Sequence, residues 1–161
     1  MTARRQGRRS RGRERPGDSP WADVVVAVIR DGGRVLVTRR PAAAHLGGFD
    51  EFPGGRREAG ETIEAACVRE VAEETGLAVR VGRRLAVAWH RDAQRRLALT
   101  FLECSCDDPA KLDATAVAGR GARWVELRAL DELRFPPANR DVVRRLIGDA
   151  GGAMPPAVPE A

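Results

Sequence analysis

The chain is short of most features that would place it in a specialised class. Lysine is nearly absent: 27 of its 28 basic residues are arginine and Lys111 is the exception, a bias of coding and not of chemistry. Cysteine occurs only at positions 67, 104 and 106, an odd number without CxxC spacing. That excludes a disulfide framework and fits reduced thiols in a cytoplasmic protein. No apolar run approaches the ~20 residues that a membrane helix requires. The Arg-rich start has no apolar segment behind it, so it does not read as a secretory signal. No internal repeat is visible. What remains is a soluble globular chain of 161 residues, 43% hydrophobic and 32% charged, long enough for one domain with a real core.

The net charge of +5 suggests a nucleic-acid binder until it is located. Residues 1–20 hold seven arginines against Glu14 and Asp18, which accounts for all of it. The stretch has almost no apolar content, so it reads as a disordered basic tail, capable only of weak, non-specific contact with nucleic-acid phosphates. Residues 149–161, rich in Gly, Ala and Pro, read as a second unstructured tail. Residues 21–148 form the expected domain.

Within it, "DVVVAVIR" and "RVLVTRR" are β-branched runs flanking "DGG", the pattern of a hairpin. "RRLAVAWH", "RRLALTFLECSC" and "ARWVELRAL" read as further strands. Thr62–Gly76 reads as a helix with Gly76 as its stop. A second helix is expected from Pro137 and Asn139 to about Ile147. Mostly antiparallel connections with two helices indicate an α+β layered domain.

The first helix carries an unusual charge pattern. Glu70, Glu73 and Glu74 are related by i, i+3 and i+4, so they share one face and repel. Such a face is usually only a solvated surface. It is also what a hard cation needs, since Mg²⁺ or Mn²⁺ takes oxygen ligands and bridges carboxylates to phosphates. The wider spacing decides between the two readings. From Gly55 the chain reads G-x5-E-x7-R-E-V-x-E-E-x-G-L, through Glu61, Arg69, Glu70, Val71, Glu73, Glu74, Gly76 and Leu77. Every position resembles the Nudix box, the signature of hydrolases that split nucleoside diphosphates linked to another moiety. The flanking "TRRPAAAH…EFPGG" and the later "FPPAN" are similar to the MutT branch, which hydrolyses oxidised guanine nucleotides such as 8-oxo-dGTP.

That resemblance implies a mixed β-sheet sandwiched between helices in α/β/α layers, with the Nudix loop-helix-loop. It implies metal binding by the Gly54 carbonyl and by Glu70, Glu73 and Glu74, the same glutamates serving in catalysis. Gly55, Glu61, Arg69 and Gly76 would be structural, with Arg69 and Glu61 paired. Arg40 and Arg56 would meet the phosphates, and His45 would touch substrate. Asn139 would read the purine edge with help from the backbone near Phe52. Read without the resemblance, Asn139 could simply start the last helix. Trp89 and His90 end a strand and could lie beside the base, Trp89 otherwise serving as core or rim. The chain departs from the pattern twice. Ala118 stands where relatives carry a further glutamate, six residues before Trp124, which leaves the general base open between a box glutamate and Asp113. Asp50 stands where relatives place an aromatic or apolar residue, with Phe49 available to take over that packing.

Because the first 20 residues contain none of this motif, deleting them is expected to leave nucleotide turnover nearly unchanged. A large, salt-insensitive loss of kcat/KM in the truncated chain would show that the segment folds over the site.

Overall fold

The computed structural model describes residues 20–92, 95–111 and 121–151. The expectations for the basic tail, for Asp113 and for Ala118 lie outside these residues.

The two β-branched runs form the expected hairpin. Strands β1 (Ala22–Asp31) and β2 (Arg34–Arg39) pair with Asp31 opposite Arg34. The two-residue loop begins with Gly32 at φ 57°, which glycine adopts without steric cost. Next come two short strands, β3 (Asp50–Glu51) and β4 (Gly54–Arg56), then helix α1 (Ile63–Thr75). Strands β5 (Val79–Arg91) and β6 (Arg96–Cys106) form a long antiparallel pair. Strand β7 (Arg123–Glu126), 3₁₀ turns over Leu127–Glu132 and Pro137–Asn139, and helix α2 (Arg140–Gly151) complete the order.

The central pairing is parallel. β1 runs beside β6 over nine register pairs, from Ala22↔Leu97 to Arg30↔Ser105, while the other five strand pairings among the described residues are antiparallel, as the sequence pattern suggested. A parallel neighbour fits a strand buried on both faces, whose apolar run is nearly continuous. β1 is that strand: Val25, Ala27 and Ile29 pack with Ala66, Cys67 and Val71 of α1, while Val26 and Val28 pack with Val142, Val143 and Leu146 of α2. Two helical layers therefore cover one mixed sheet, the α/β/α arrangement expected. Each fully buried Val, Leu or Ile contributes roughly 1.5–3 kcal/mol, so both layers are needed to hold the sheet.

Two boundaries differ from the sequence reading, and two strands are added to it. "ARWVELRAL" is strand only to Glu126 and then coils into a 3₁₀ turn that buries Leu127 and Leu130. The last helix continues to Gly151, so residues 149–151, assigned to the C-terminal tail, are helical. Its extra turn is held in part by Asp149, whose carboxylate accepts from Arg30 at 3.2 Å. Strands β3 and β4 were not expected. They are too short to show a two-residue alternation and are set by pairing, β3 with β2 and β4 with β1. All three cysteines are free. Cys67 and Cys104 meet at 3.7 Å inside the α1-side core and serve there as packing residues.

Candidate active site

The segment before α1 is shaped by close approaches of glycine backbone, against main chain at Gly54 and against a side-chain end at Gly55. At Gly54 a Cβ would lie 2.1 Å from the Val25 carbonyl oxygen, and at Gly55 it would lie 2.2 Å from the Glu70 carboxylate. β4 is thereby pressed between β1 and the helix. The Gly54 N–H donates to Glu74 Oε2 at 3.0 Å, stitching strand to helix. Thr62 caps α1 by accepting the Ala65 N–H at 3.1 Å, and Gly76 ends it at φ 69° with its N–H on Ala72 O.

Arg69 holds the loop in place. Its Nε and Nη2 donate to the two oxygens of Glu61 at 2.7 and 2.9 Å, the bidentate geometry of a strong ion pair. Its Nη1 donates to Glu70 at 2.8 Å and Nη2 to the Arg56 carbonyl at 3.0 Å. One guanidinium thus binds the loop, the strand and the helix. The Arg69 bonds, together with the Glu58 N–H, pull the Glu61 carboxyl down from 4.5 to about 2.

The three glutamates share a helix face but differ in depth. Glu74 is buried, Glu70 is 15% exposed, and Glu73 is 60% exposed and turned to Arg69 at 3.4 Å. Glu70 and Glu74 line a cleft of about 350 Å³ together with Gly54, Gly55, Arg40, Arg56, Phe52 and Asn139. Glu73 and His45 do not line it; His45 sits exposed in the loop after β2. Among the described residues no three acidic, His or Cys side chains converge on one point. Two carboxylates beside glycine backbone still suit Mg²⁺, which commonly keeps waters and completes its shell with substrate phosphate.

The other end of the cleft is apolar and aromatic. Val24 and Leu99 stand in register on neighbouring strands and form the floor with Val26 and Leu97. Phe52 stacks on Phe135 at 5.0 Å. Pro136, Ala138 and Asn139 form the wall. Asn139 is 4% exposed, lines the cleft, and donates its backbone N–H to the Pro136 carbonyl at 2.9 Å. It lies at the end of a 3₁₀ turn that passes straight into α2, with Pro136 in the cap position. Asn139 is thus the residue directly before α2, the place that the helix-starting alternative gives it.

Trp89 and His90 part company because successive strand residues face opposite ways. His90 lines the cleft, whereas Trp89 is 64% exposed and meets Trp21 edge-on at 4.9 Å. Sequence reasoning missed Glu51 and Arg95 in the lining. Glu51 accepts from Arg40 at 2.9 Å, and the buried Nε atoms of Arg40 and Arg95 have no hydrogen-bond partner among the described residues. The only available signal for Glu51 was its neighbour Phe52, and for Arg95 its place in a strand turn.

Residues 24–145 match the model of the NUDIX domain. The chain belongs to the Nudix family. It is 33% identical to the 8-oxo-dGTP diphosphatase of Escherichia coli K12 over 126 residues, covering 76% of this chain and 94% of that protein. A CTP pyrophosphohydrolase of the same organism is 41% identical over 64 residues, 40% of this chain and 47% of that one. In fold the chain resembles the MutT protein from Methanosarcina mazei Go1, with TM-score 0.65 at 22% identity over 82% of this chain and 96% of that structure. As a Nudix hydrolase it acts on pyrophosphate bonds, and of its box residues Gly55, Glu70 and Glu74 line the polar end of the cleft.

The Arg69–Glu61 pair gives a pH signature. A carboxyl with a lowered folded pKa stabilises the fold above its unfolded value and loses that contribution as protons bind. The stabilisation is therefore complete above 4.5 and disappears as pH falls to about 2. Denaturant midpoints of the wild type and of Glu61→Gln are expected to differ at neutral pH and to converge through that window. Parallel pH curves for the two proteins would show that the pair does not hold the loop.

Proposed function

We propose that this Nudix hydrolase sanitises the cytoplasmic nucleotide pool in support of DNA repair. It would cleave oxidised guanine nucleoside triphosphates, 8-oxo-dGTP foremost, to monophosphate and pyrophosphate. The observation that carries the reading is the division of one cleft into two ends. Paired glutamates and glycine backbone occupy the first. The largely buried Asn139, lining the cleft beside stacked phenylalanines, occupies the second. An amide offers both donor and acceptor, so Asn139 can distinguish base edges, and Val24, Val26, Leu97 and Leu99 exclude water from the base.

Glu70, Glu74 and the Gly54 carbonyl would hold Mg²⁺, or Mn²⁺ in its place. Glu73 is the least committed of the three glutamates because it leans outward to Arg69. The bound cation would neutralise phosphate charge and favour ionisation of the attacking water. Arg40 and Arg56 orient the triphosphate for in-line attack, where positioning and charge stabilisation supply most of the rate. Glu70 and Glu74 are the candidates for accepting the proton from water.

A second reading keeps this machinery and changes the base. The likeness to the CTP pyrophosphohydrolase favours it, although the matching 64 residues are too few to span both ends of the cleft. A nucleotide panel with Mg²⁺, scored for pyrophosphate against phosphate, separates the two. Equal kcat/KM for 8-oxo-dGTP and dGTP would end the sanitising reading.

Glu70→Gln and Glu74→Gln are each expected to lower kcat by at least ~10²-fold with the fold intact, as loss of a ligand or base does. Wild-type rates in either variant would move the active site elsewhere. Asn139→Ala is expected to weaken the preference for 8-oxo-dGTP over dGTP by roughly 1–3 kcal/mol while sparing the triphosphate end. A uniform loss across all nucleotides would make Asn139 a structural residue.

A further inference from the structure

Asp50 is the least expected charge in the fold. Its side chain is 3% exposed, at a position where an aromatic or apolar residue would pack without desolvation cost. A buried carboxylate persists only where donors replace its water, and here they come from three separate segments. Arg123 of β7 donates to Oδ1 at 2.6 Å. Arg39 of β2 lies 3.6 Å from the same oxygen. The Arg134 N–H donates to Oδ2 at 3.3 Å, and the Asp50 N–H donates back to the Arg134 carbonyl at 2.8 Å. Asp50 and Arg134 thus exchange bonds between segments 84 positions apart in sequence.

The two halves of the base-side wall hang from this node. Phe52 follows Asp50 by two residues, Phe135 and Pro136 follow Arg134 directly, and Asn139 comes five residues after it. Asp50 itself does not line the cleft. Strand β3 is only two residues long, too short for its ladder to hold a register unaided. The carboxylate supplies that register. Phe49 does not replace it: Phe49 is half-buried, with the Arg134 guanidinium 4.6 Å from its ring.

We infer that Asp50 is a positioning residue for the substrate, setting the spacing between Phe52 and Asn139 through Arg123 and Arg134 without touching the nucleotide. The inference deepens the proposed function and rests on its reading of the cleft. It accounts for the charged residue in this chain: the wall is tied by an ionic node where an apolar contact would leave it less constrained.

Steady-state kinetics of Asp50→Asn, Arg123→Met and the double variant test it. Asparagine keeps the size and one acceptor oxygen while losing the charge. Asp50→Asn is expected to raise KM about tenfold or more, the scale of a lost charged hydrogen bond. Its kcat should stay within about threefold, because the glutamates of α1 are untouched. Arg123→Met should shift KM the same way, and the double variant should be no worse than Asp50→Asn, since a pair acting as a unit is not additive. A lowered Tm with KM unchanged would overturn the proposal, as would two substitutions whose effects multiply. If Asp50→Asn fails to fold, Arg123→Met decides: a raised KM supports the node and an unchanged one rejects it. Should the wild type prefer a nucleotide other than 8-oxo-dGTP, the substrate reading fails, while the KM shift for that nucleotide still judges Asp50.

Discussion

The site depends on one cation. Arg69 donates to Glu61, Glu70, Glu73 and the Arg56 carbonyl, and these groups belong to the loop, the helix and the strand that make the polar end of the cleft. Without it, several carboxylates would face one another across a short distance with only water to screen them. With it, the repulsion that α1 builds into its own surface becomes a means of closing the loop. The geometry favours arginine over lysine here, because a planar fork can bind both oxygens of Glu61 and still reach three other acceptors.

A second constraint is the two-residue period of a strand buried on both faces. β1 sends Val25, Ala27 and Ile29 to one helical layer and Val24, Val26 and Val28 to the other side. The cleft opens where α2 stops covering that second side, so its floor is simply core that has run out of helix. The same parity turns His90 into the cleft and leaves Trp89 on the opposite surface. The active site and the core are therefore continuous, so the apolar floor of the cleft is held by the same packing as the core.

Much of this was legible in the sequence, for identifiable reasons. The Nudix box was readable because its chemistry needs fixed residue types at fixed intervals, and the helix caps at Thr62 and Gly76 follow local rules. The alternating runs gave the long strands. What could not be read depended on contacts between distant segments. The parallel β1–β6 pairing, the short strands β3 and β4, and the burial of Asp50 all arise from partners tens of residues away. Glu70, Glu73 and Glu74 looked equivalent on a helix; only the docking of α1 against the sheet gives them three depths. His45 looked like a substrate contact from its place before the box, but the loop carries it outward.

The two ends of the cleft are held by different physics. At the polar end, charges are positioned by other charges and by glycine backbone brought within contact distance. Such preorganisation lets a site stabilise charge in the transition state without reorganising when it forms. At the base end, the walls come from segments far apart in sequence, and apolar stacking of Phe52 on Phe135 fixes their contact but not their register. An aromatic pair tolerates sliding by fractions of an ångström at little cost, whereas a hydrogen-bonded amide does not. A wall that must present one amide to one base edge therefore needs a directional tie, and the buried Asp50 carboxylate with its reciprocal bonds to Arg134 is the directional element available there.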